Sequence, residues 1–289
     1  MPRRPYRPPE LLRRPFLGST AVSEGLITYD QLRGKSWRQV AYDVYVDASI
    51  PDSHKVRCQG IGLILPSGAA ITGRSAACLD GLPLSELDDP VHVLARPKIR
   101  VRRRGCRLVR TRWLPDAHVR PGDLPVTVHP RTAWEIASEP DLVEAVAALD
   151  LLFRARQPRR EVMESWVAKF PDSRAARAID LSDERAESPQ ESRARIRIRL
   201  AGFPPPVPQY NLRMNGHFVA RFDLAWPDAK VAVEYDGWWH AGAQQLSLDR
   251  ARLTGIVDAG WRVYYLTSVD LKDPVRFELF CGRLRRALL

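Results

Sequence analysis

Apolar and polar positions alternate with a period of two on both sides of Pro227-Asp228-Ala229-Lys230. Such alternation predicts strands, because successive side chains of an extended chain point to opposite faces, and proline beside aspartate predicts the turn between them. The register that follows sets Trp226 against Val231, Ala225 against Ala232, Leu224 against Val233, Asp223 against Glu234, Phe222 against Tyr235 and Arg221 against Asp236. One face of the hairpin is then Phe222, Leu224, Trp226, Val231, Val233 and Tyr235, a core face. The other carries Asp223, Glu234 and Asp236 with Arg221, and Ala225 and Ala232 leave open space beside the acids.

The elements around this hairpin follow from the same signals. Ser188-Pro189-Gln190-Glu191 opens a helix: serine caps it, proline suits the first turn, and the glutamate completes a capping box. Gly202 stops that helix, Gln209 to Leu212 is strand-like, and Met214-Asn215-Gly216 turns the chain back toward Phe218. Beyond the hairpin, Ser247 to Ala259 predicts a helix capped by Gly260, Trp261 to Thr267 a strand, and Asp273-Pro274 the start of a last helix. This order predicts a layered α/β domain with a mixed sheet over residues 187–289.

Toward the N-terminus the elements are shorter. Residues 1–16, rich in proline and arginine, predict an unfolded basic arm. Thr28 and Gln31 have capping-box spacing, and Gly34 ends the short helix that they open. Trp37, Val40 and Ala41 suit the apolar side of a second short helix, and Tyr42 to Val46 alternates as a strand. Helix, turn, helix and strand predict a small winged-helix unit, with Arg33, Lys35 and Arg38 where such a unit meets DNA. Lys98, Arg100, Arg102, Arg103, Arg104, Arg107, Arg110 and Arg112 interleave with Ile99, Val101, Leu108 and Val109 around Gly105. That pattern predicts a basic β-ribbon that lies along phosphates, and a charged edge strand that only resists aggregation fits it too. Asp141 to Phe153 is an apolar core helix, and residues 156–186, polar and broken by prolines, read as a helical connector. The predicted organisation is a basic arm (1–16), a winged-helix-like α+β region with the ribbon (17–155), the connector (156–186) and the α/β domain (187–289).

Charge and cysteine usage narrow the partners and the compartment. A formal net charge of +11 points to a polyanionic partner. No apolar run approaches the length of a membrane span, and the Pro- and Arg-rich start lacks the apolar core of a signal peptide, so no membrane partner is expected. Cys58, Cys78, Cys106 and Cys281 lie far apart, which argues against structural zinc and a disulfide framework and favours a reducing cytoplasm.

The acidic face of the hairpin is where the chemistry concentrates. Asp223 opposite Glu234, with Asp236 close by, sets like charges across one strand pair, which is destabilising unless something positive compensates. Mg²⁺ or Mn²⁺ would do so, since such ions take one or two carboxylates with water and phosphate oxygens. Arg221 and nearby lysines on a solvated face are the alternative. His240 follows shortly after the acids and suits proton transfer or phosphate contact.

Asp223, then Glu234-Tyr235-Asp236-Gly237 and His240, resembles the very-short-patch-repair (Vsr-like) endonucleases of the PD-(D/E)xK superfamily. Asp249 and Arg252 in a helix and Gly260-Trp261-Arg262-Val263 opening a strand continue that resemblance, which spans roughly residues 187–289. It implies a restriction-endonuclease-like domain that hydrolyses DNA phosphodiester bonds with Mg²⁺ or Mn²⁺. Asp223 and Glu234 would be the metal ligands, Asp236 would hold a second metal or a water, His240 would serve as acid or base, and Glu191 would lie near the site. Glu191 thus has two readings, helix cap and site acid. Asp236 stands where the superfamily's name-giving motif has lysine, as in related Vsr-like sequences, which departs from the standard restriction-enzyme site.

The front half resembles AbiEi-type antitoxin and regulator proteins. The resemblance rests on Gly25-Leu26-Ile27-Thr28, Gln31-Leu32, Trp37, Val44-Tyr45, Ile71-Thr72-Gly73-Arg74-Ser75-Ala76-Ala77, Gly81-Leu82, Leu124-Pro125-Val126-Thr127 and Arg131-Thr132-Ala133. It implies DNA as partner and an alternative function: a non-catalytic antitoxin or regulator whose nuclease-like domain only binds DNA or a protein such as a toxin.

Overall fold

The computed structural model describes residues 6–101, 104–112, 119–236 and 252–288. The chain divides into two compact units, 1–136 and 137–289. Both mix helices and strands, so the protein is of the α/β type.

The first unit opens with β1 (Phe16–Leu17), α1 (Gly18–Ser23), α2 (Tyr29–Leu32), β2 (Trp37–Ala41) and β3 (Val44–Asp47), whose strands form an antiparallel sheet in the order β1-β3-β2. The Thr28–Gln31 capping box forms as expected, each side chain bonded to the other residue's backbone N–H. Trp37–Ala41, expected as a helix, is a strand. Asp43 takes a left-handed conformation (φ 58°) that reverses the chain at once, so Trp37 to Ala41 pairs with Val44 to Asp47. Residues 6–16 are not an unfolded arm either: Leu11 is buried with Ala21, Ile27, Leu32 and Trp37, and Arg7 Nε donates to Asp47 Oδ2 at 2.8 Å.

There follow α3 (His54–Leu63), β4 (Ala69–Ile71), α4 (Gly73–Leu79), β5 (Val91–Ala95), β6 (Cys106–Arg110), β7 (Val119–Arg120), β8 (Val126–Thr127) and α5 (His129–Ala137). Their sheet has the order β6-β5-β4-β8-β7. The basic block does not form the expected ribbon. A ribbon needs antiparallel neighbours, whereas β5 and β6 run parallel and are joined by a crossover through residues 96–105.

The second unit comprises α6 (Leu142–Arg154), α7 (Glu164–Lys169), α8 (Arg174–Leu181), α9 (Pro189–Leu200), β9 (Val207–Met214), β10 (His217–Trp226), β11 (Val231–Asp236), α10 (252–258), β12 (Arg262–Thr267), α11 (Ser268–Lys272) and α12 (Pro274–Leu288). The expected connector is an integral part of it. Met163 and Ile179 are buried, and the buried Arg195 of α9 bonds Asp150 of α6 (2.8 Å) and the carbonyl of Leu181 (2.7 Å).

The sheet of this unit has the order β12-β11-β10-β9, with β11 and β12 parallel and the other pairs antiparallel, the mixed sheet expected. It is covered on both faces. Leu224, Trp226, Val231 and Val233 pack with Ala194 and Ile198 of α9 and with Phe277, Phe280 and Leu284 of α12. Phe222, Ala225 and Ala232 pack with Leu212, Ala220, Ile256 of α10 and Trp261.

The hairpin register is the expected one for Trp226↔Val231, Ala225↔Ala232 and Leu224↔Val233. The faces are not. Phe222 lies with Ala225, away from Leu224, so the alternation of β10 reverses at Asp223. Ala225 and Ala232 are fully buried beneath Trp261 and Ile256 and leave no open space. Where the alternation reverses, Gln209 of β9 is left-handed, with φ 51°.

Candidate active site

The acids meet at the end of the β10/β11 ladder. The last pair is Leu224↔Val233, and the N–H of Tyr235 beyond it donates to Asp223 Oδ2 at 2.8 Å. The expected plain pairing of Asp223 with Glu234 is thus replaced by a side-chain bridge across the two strands. Asp223 Oδ1 faces the Gln209 amide, whose Nε2 donates to it at 3.4 Å and to Glu191 Oε2 at 2.7 Å. Carboxylates accept only, so the amide nitrogen must face the acids. Its other end, Oε1, is buried with no partner among the described residues.

Glu191 satisfies half of the expected capping box. Its N–H donates to Ser188 Oγ (3.2 Å), but its carboxylate accepts from the N–H of Glu187 (2.9 Å) and from Gln209. The left-handed Gln209 brings its amide to this carboxylate, so Glu191 is a helix-end acceptor that also shares a donor with Asp223. Glu234 is bound by the guanidinium of Arg252 on α10. Asp236 closes β11 and is exposed, and Arg221 donates to Glu187 Oε2 at 2.7 Å.

Electrostatics mark the pair. Burial pushes the Asp223 carboxyl above the usual range, and the Glu191 charge adds to this against the opposing Tyr235 and Gln209 hydrogen bonds. Burial also raises Glu234; Arg252 opposes it, while the charges of Asp223 and Asp236 add to it. Both acids are therefore held where ionisation is penalised.

Among the described residues, no group of three or more His, Cys, Asp and Glu side chains is placed to hold a metal ion. What the site offers is two hard carboxylates, Asp223 and Glu234, the latter with Oε1 accepting from Arg252. A donor set of this size fits an ion such as Mg²⁺, which keeps most of its water and takes one or two carboxylates.

His240 and Asp249 lie outside the described residues, as do Arg102 and Arg103. Of the first unit's candidates, Arg33 and Lys35 are exposed between α2 and β2. Arg38 is half-buried on β2, tied to Asp52 (3.2 Å) and the carbonyl of Ile50 (3.2 Å), which makes it a packing residue. Lys98, Arg100, Arg104 and Arg107 are exposed along the β5–β6 connection and the edge strand β6, and Arg112 is exposed just past its end. Arg110 is spent on structure, its guanidinium donating to the carbonyls of Pro97 (2.7 Å), Ile99 (3.2 Å) and Arg96 (3.4 Å).

Gln209 and the pairing of Arg252 with Glu234 were not anticipated from the sequence. Gln209 reads as an ordinary strand residue, and only a φ angle distinguishes it.

No family model matches the chain. Over 158 residues it is 33% identical to "Uncharacterized protein MT2308" of Mycobacterium tuberculosis (strain CDC 1551 / Oshkosh) and to "Uncharacterized protein Rv2248" of Mycobacterium tuberculosis (strain ATCC 25618 / H37Rv). The match covers 53% of this chain and 58% of each relative, so the chain spans little more than half the length of the curated relatives it matches. Among solved structures, the crystal structure of RV2827C protein from Mycobacterium tuberculosis is similar at 18% identity, with a TM-score of 0.40 over 58% of this chain and 71% of that chain. No described helix is long and apolar enough to cross a membrane.

Proposed function

We propose that the protein binds DNA and that its second unit is a restriction-endonuclease-like domain that hydrolyses phosphodiester bonds with Mg²⁺ or Mn²⁺. The observation that carries this reading is the placement of Asp223 and Glu234, two acids on neighbouring strands whose ionisation is penalised by burial and whose charges oppose each other. Burial and like charge penalise the two ionised acids even with Arg252 on Glu234, so a bound cation would stabilise the site. The ion would polarise the scissile phosphate and lower the pKa of the attacking water. Asp223 and Glu234 would hold it, and the Gln209 amide keeps Glu191 and Asp223 in one site by donating to both. Asp236 stands at the strand end where a second ion or a water would sit, and His240 is the candidate acid or base. The first unit, read as winged-helix-like, supplies DNA contacts through Arg33, Lys35 and the exposed arginines of the β5–β6 crossover.

Two observations favour a second reading, an AbiEi-type antitoxin or regulator without catalysis. Arg252 already occupies Glu234, and Asp236 stands in place of the superfamily's lysine. In that reading the second unit binds DNA or a partner protein through the same surface.

Cleavage of supercoiled plasmid and of branched DNA with Mg²⁺ or Mn²⁺ separates the two. Metal-dependent cleavage by wild type that Asp223→Ala loses supports the enzyme. Metal-independent DNA binding without cleavage supports the regulator.

A further inference from the structure

The β9–β10 hairpin carries an exposed face that the acidic site does not use. Ladder partners share a face, and Phe218↔Arg213 and Arg221↔Asn211 are such pairs. Strand periodicity puts Asn211 and Arg213 on the same side of β9. On β10 the register shifts between Phe218 and Ala220, and this bulge turns Phe218 to the side of Arg221. Without it, Phe218 would lie with Ala220 and Leu212, which are buried. The result is a face of Asn211, Arg213, Phe218 and Arg221, all exposed, with Phe218 59% accessible.

The far side of this hairpin is core, so the exposed face is one-sided. No aspartate or glutamate occurs from residue 192 to residue 222. Among the described residues Arg213 donates to the carbonyl of Gly216 (3.0 Å), and Arg221 pairs with Glu187 and lies near enough to Asp223 to favour its charged form. The face leads to the acids: Arg221 bonds Glu187, whose N–H donates to Glu191 Oε2, and Phe218 lies roughly 16 Å along the strand from Asp223, at about 3.3 Å per residue.

We propose that this face is a nucleic-acid track, on which Arg213 and Arg221 contact phosphates and Phe218 stacks on a base of the DNA strand presented to Asp223 and Glu234. The proposal rests on the reading of the second unit as a DNA-processing domain. An aromatic ring held in solvent beside two guanidinium groups matches the chemistry of a strand, since every base offers a flat face and every linkage an anion. A two-stranded ribbon is also of a size that DNA grooves admit.

The test uses the full chain in EDTA, so that binding is read without cleavage, with fluorescein-labelled duplex and single-stranded DNA followed by anisotropy. Phe218→Ala is expected to weaken binding about tenfold and Phe218→Trp to restore it, as loss and recovery of one stacked base require. Arg213→Ala is expected to weaken binding and reduce its salt dependence. In wild type, strands carrying 5-iododeoxyuridine are expected to photocrosslink at Phe218. Binding of single strand above duplex would identify an unpaired base as the stacking partner, and the reverse a base within the duplex; either supports the track. If wild type binds neither DNA, the functional reading falls and the track with it. If wild type binds but Phe218→Ala and Arg213→Ala bind equally well and no crosslink maps to the hairpin, the track alone is overturned.

Discussion

The backbone N–H of Tyr235 donates to Asp223 Oδ2 at 2.8 Å, just past the last ladder pair of β10 and β11. A carboxylate thus fixes the point where the two strands stop pairing, and Glu234, one residue before Tyr235, is held beside it. The bond favours the charged form of Asp223, yet burial and the neighbouring Glu191 outweigh it.

The first prediction follows from that balance. A carboxyl whose pKa is raised in the folded state contributes stability below its unfolded value and loses it as pH rises through the folded value. Asp223 therefore burdens the folded protein at neutral pH. Asp223→Asn is expected to raise the melting temperature at pH 7 by about 1–4 °C, since roughly 1 kcal/mol corresponds to a few degrees. The gain should vanish in acid, where the wild-type carboxyl is protonated. Thermal melts of both proteins across pH 3.5–8 measure this, and an unchanged or lower melting temperature at pH 7 contradicts it.

Gln209 separates backbone from side-chain effects. Its left-handed φ favours glycine or asparagine, while its amide links Glu191 to Asp223. Gln209→Gly is expected to leave the apo melting temperature within about 3 °C of wild type, because relief of strain offsets lost hydrogen bonds of about 1 kcal/mol each. Mn²⁺ affinity should fall severalfold in the same variant. Equal affinity would show that the amide does not organise the acids.

The buried pair Arg195–Asp150 joins α9 to α6 in the second unit, with both side chains nearly inaccessible. Burial raises the Asp150 carboxyl, and Arg195 opposes this. Removing one partner strands the other charge, so Asp150→Ala should cost about 3–5 kcal/mol in denaturant unfolding. Asp150→Leu with Arg195→Met should recover much of that loss. A loss below about 1 kcal/mol would place the pair among weak surface contacts.

In the first unit, Arg100→Glu with Arg104→Glu should weaken duplex binding at all sequences and lower the salt slope by about 1 for each phosphate no longer neutralised. Arg110→Ala should instead lower the melting temperature, because its guanidinium holds three carbonyls of the crossover. Salt titrations of DNA binding with parallel melts distinguish them. Unaltered binding by the double variant would leave the block as a solvated edge.

The local signals of the sequence were legible where one short-range interaction decides the outcome. The Thr28–Gln31 box, the Ser188 cap, the turn at Pro227 to Lys230 and the Trp226↔Val231 register all depend on residues a few positions apart. The misread features depend on long-range partners. Trp37–Ala41 has apolar residues at helical spacing, and only pairing with β3 makes it a strand. The arginine-rich block alternates as a ribbon would, but its neighbour is the parallel β5. Charge and spacing single out Asp223 and Glu234 as candidates, whereas nothing singles out Gln209, because a left-handed residue within a strand leaves no mark in composition.

The central claim is that Asp223 and Glu234 share one divalent ion. Isothermal calorimetry with Mn²⁺ on metal-free wild type and Asp223→Asn tests it most directly. The account predicts saturable binding to wild type that weakens as pH falls into the carboxyl range, with affinity at least tenfold weaker in Asp223→Asn. Equal binding by the two proteins, or no binding to wild type at neutral pH, would contradict it.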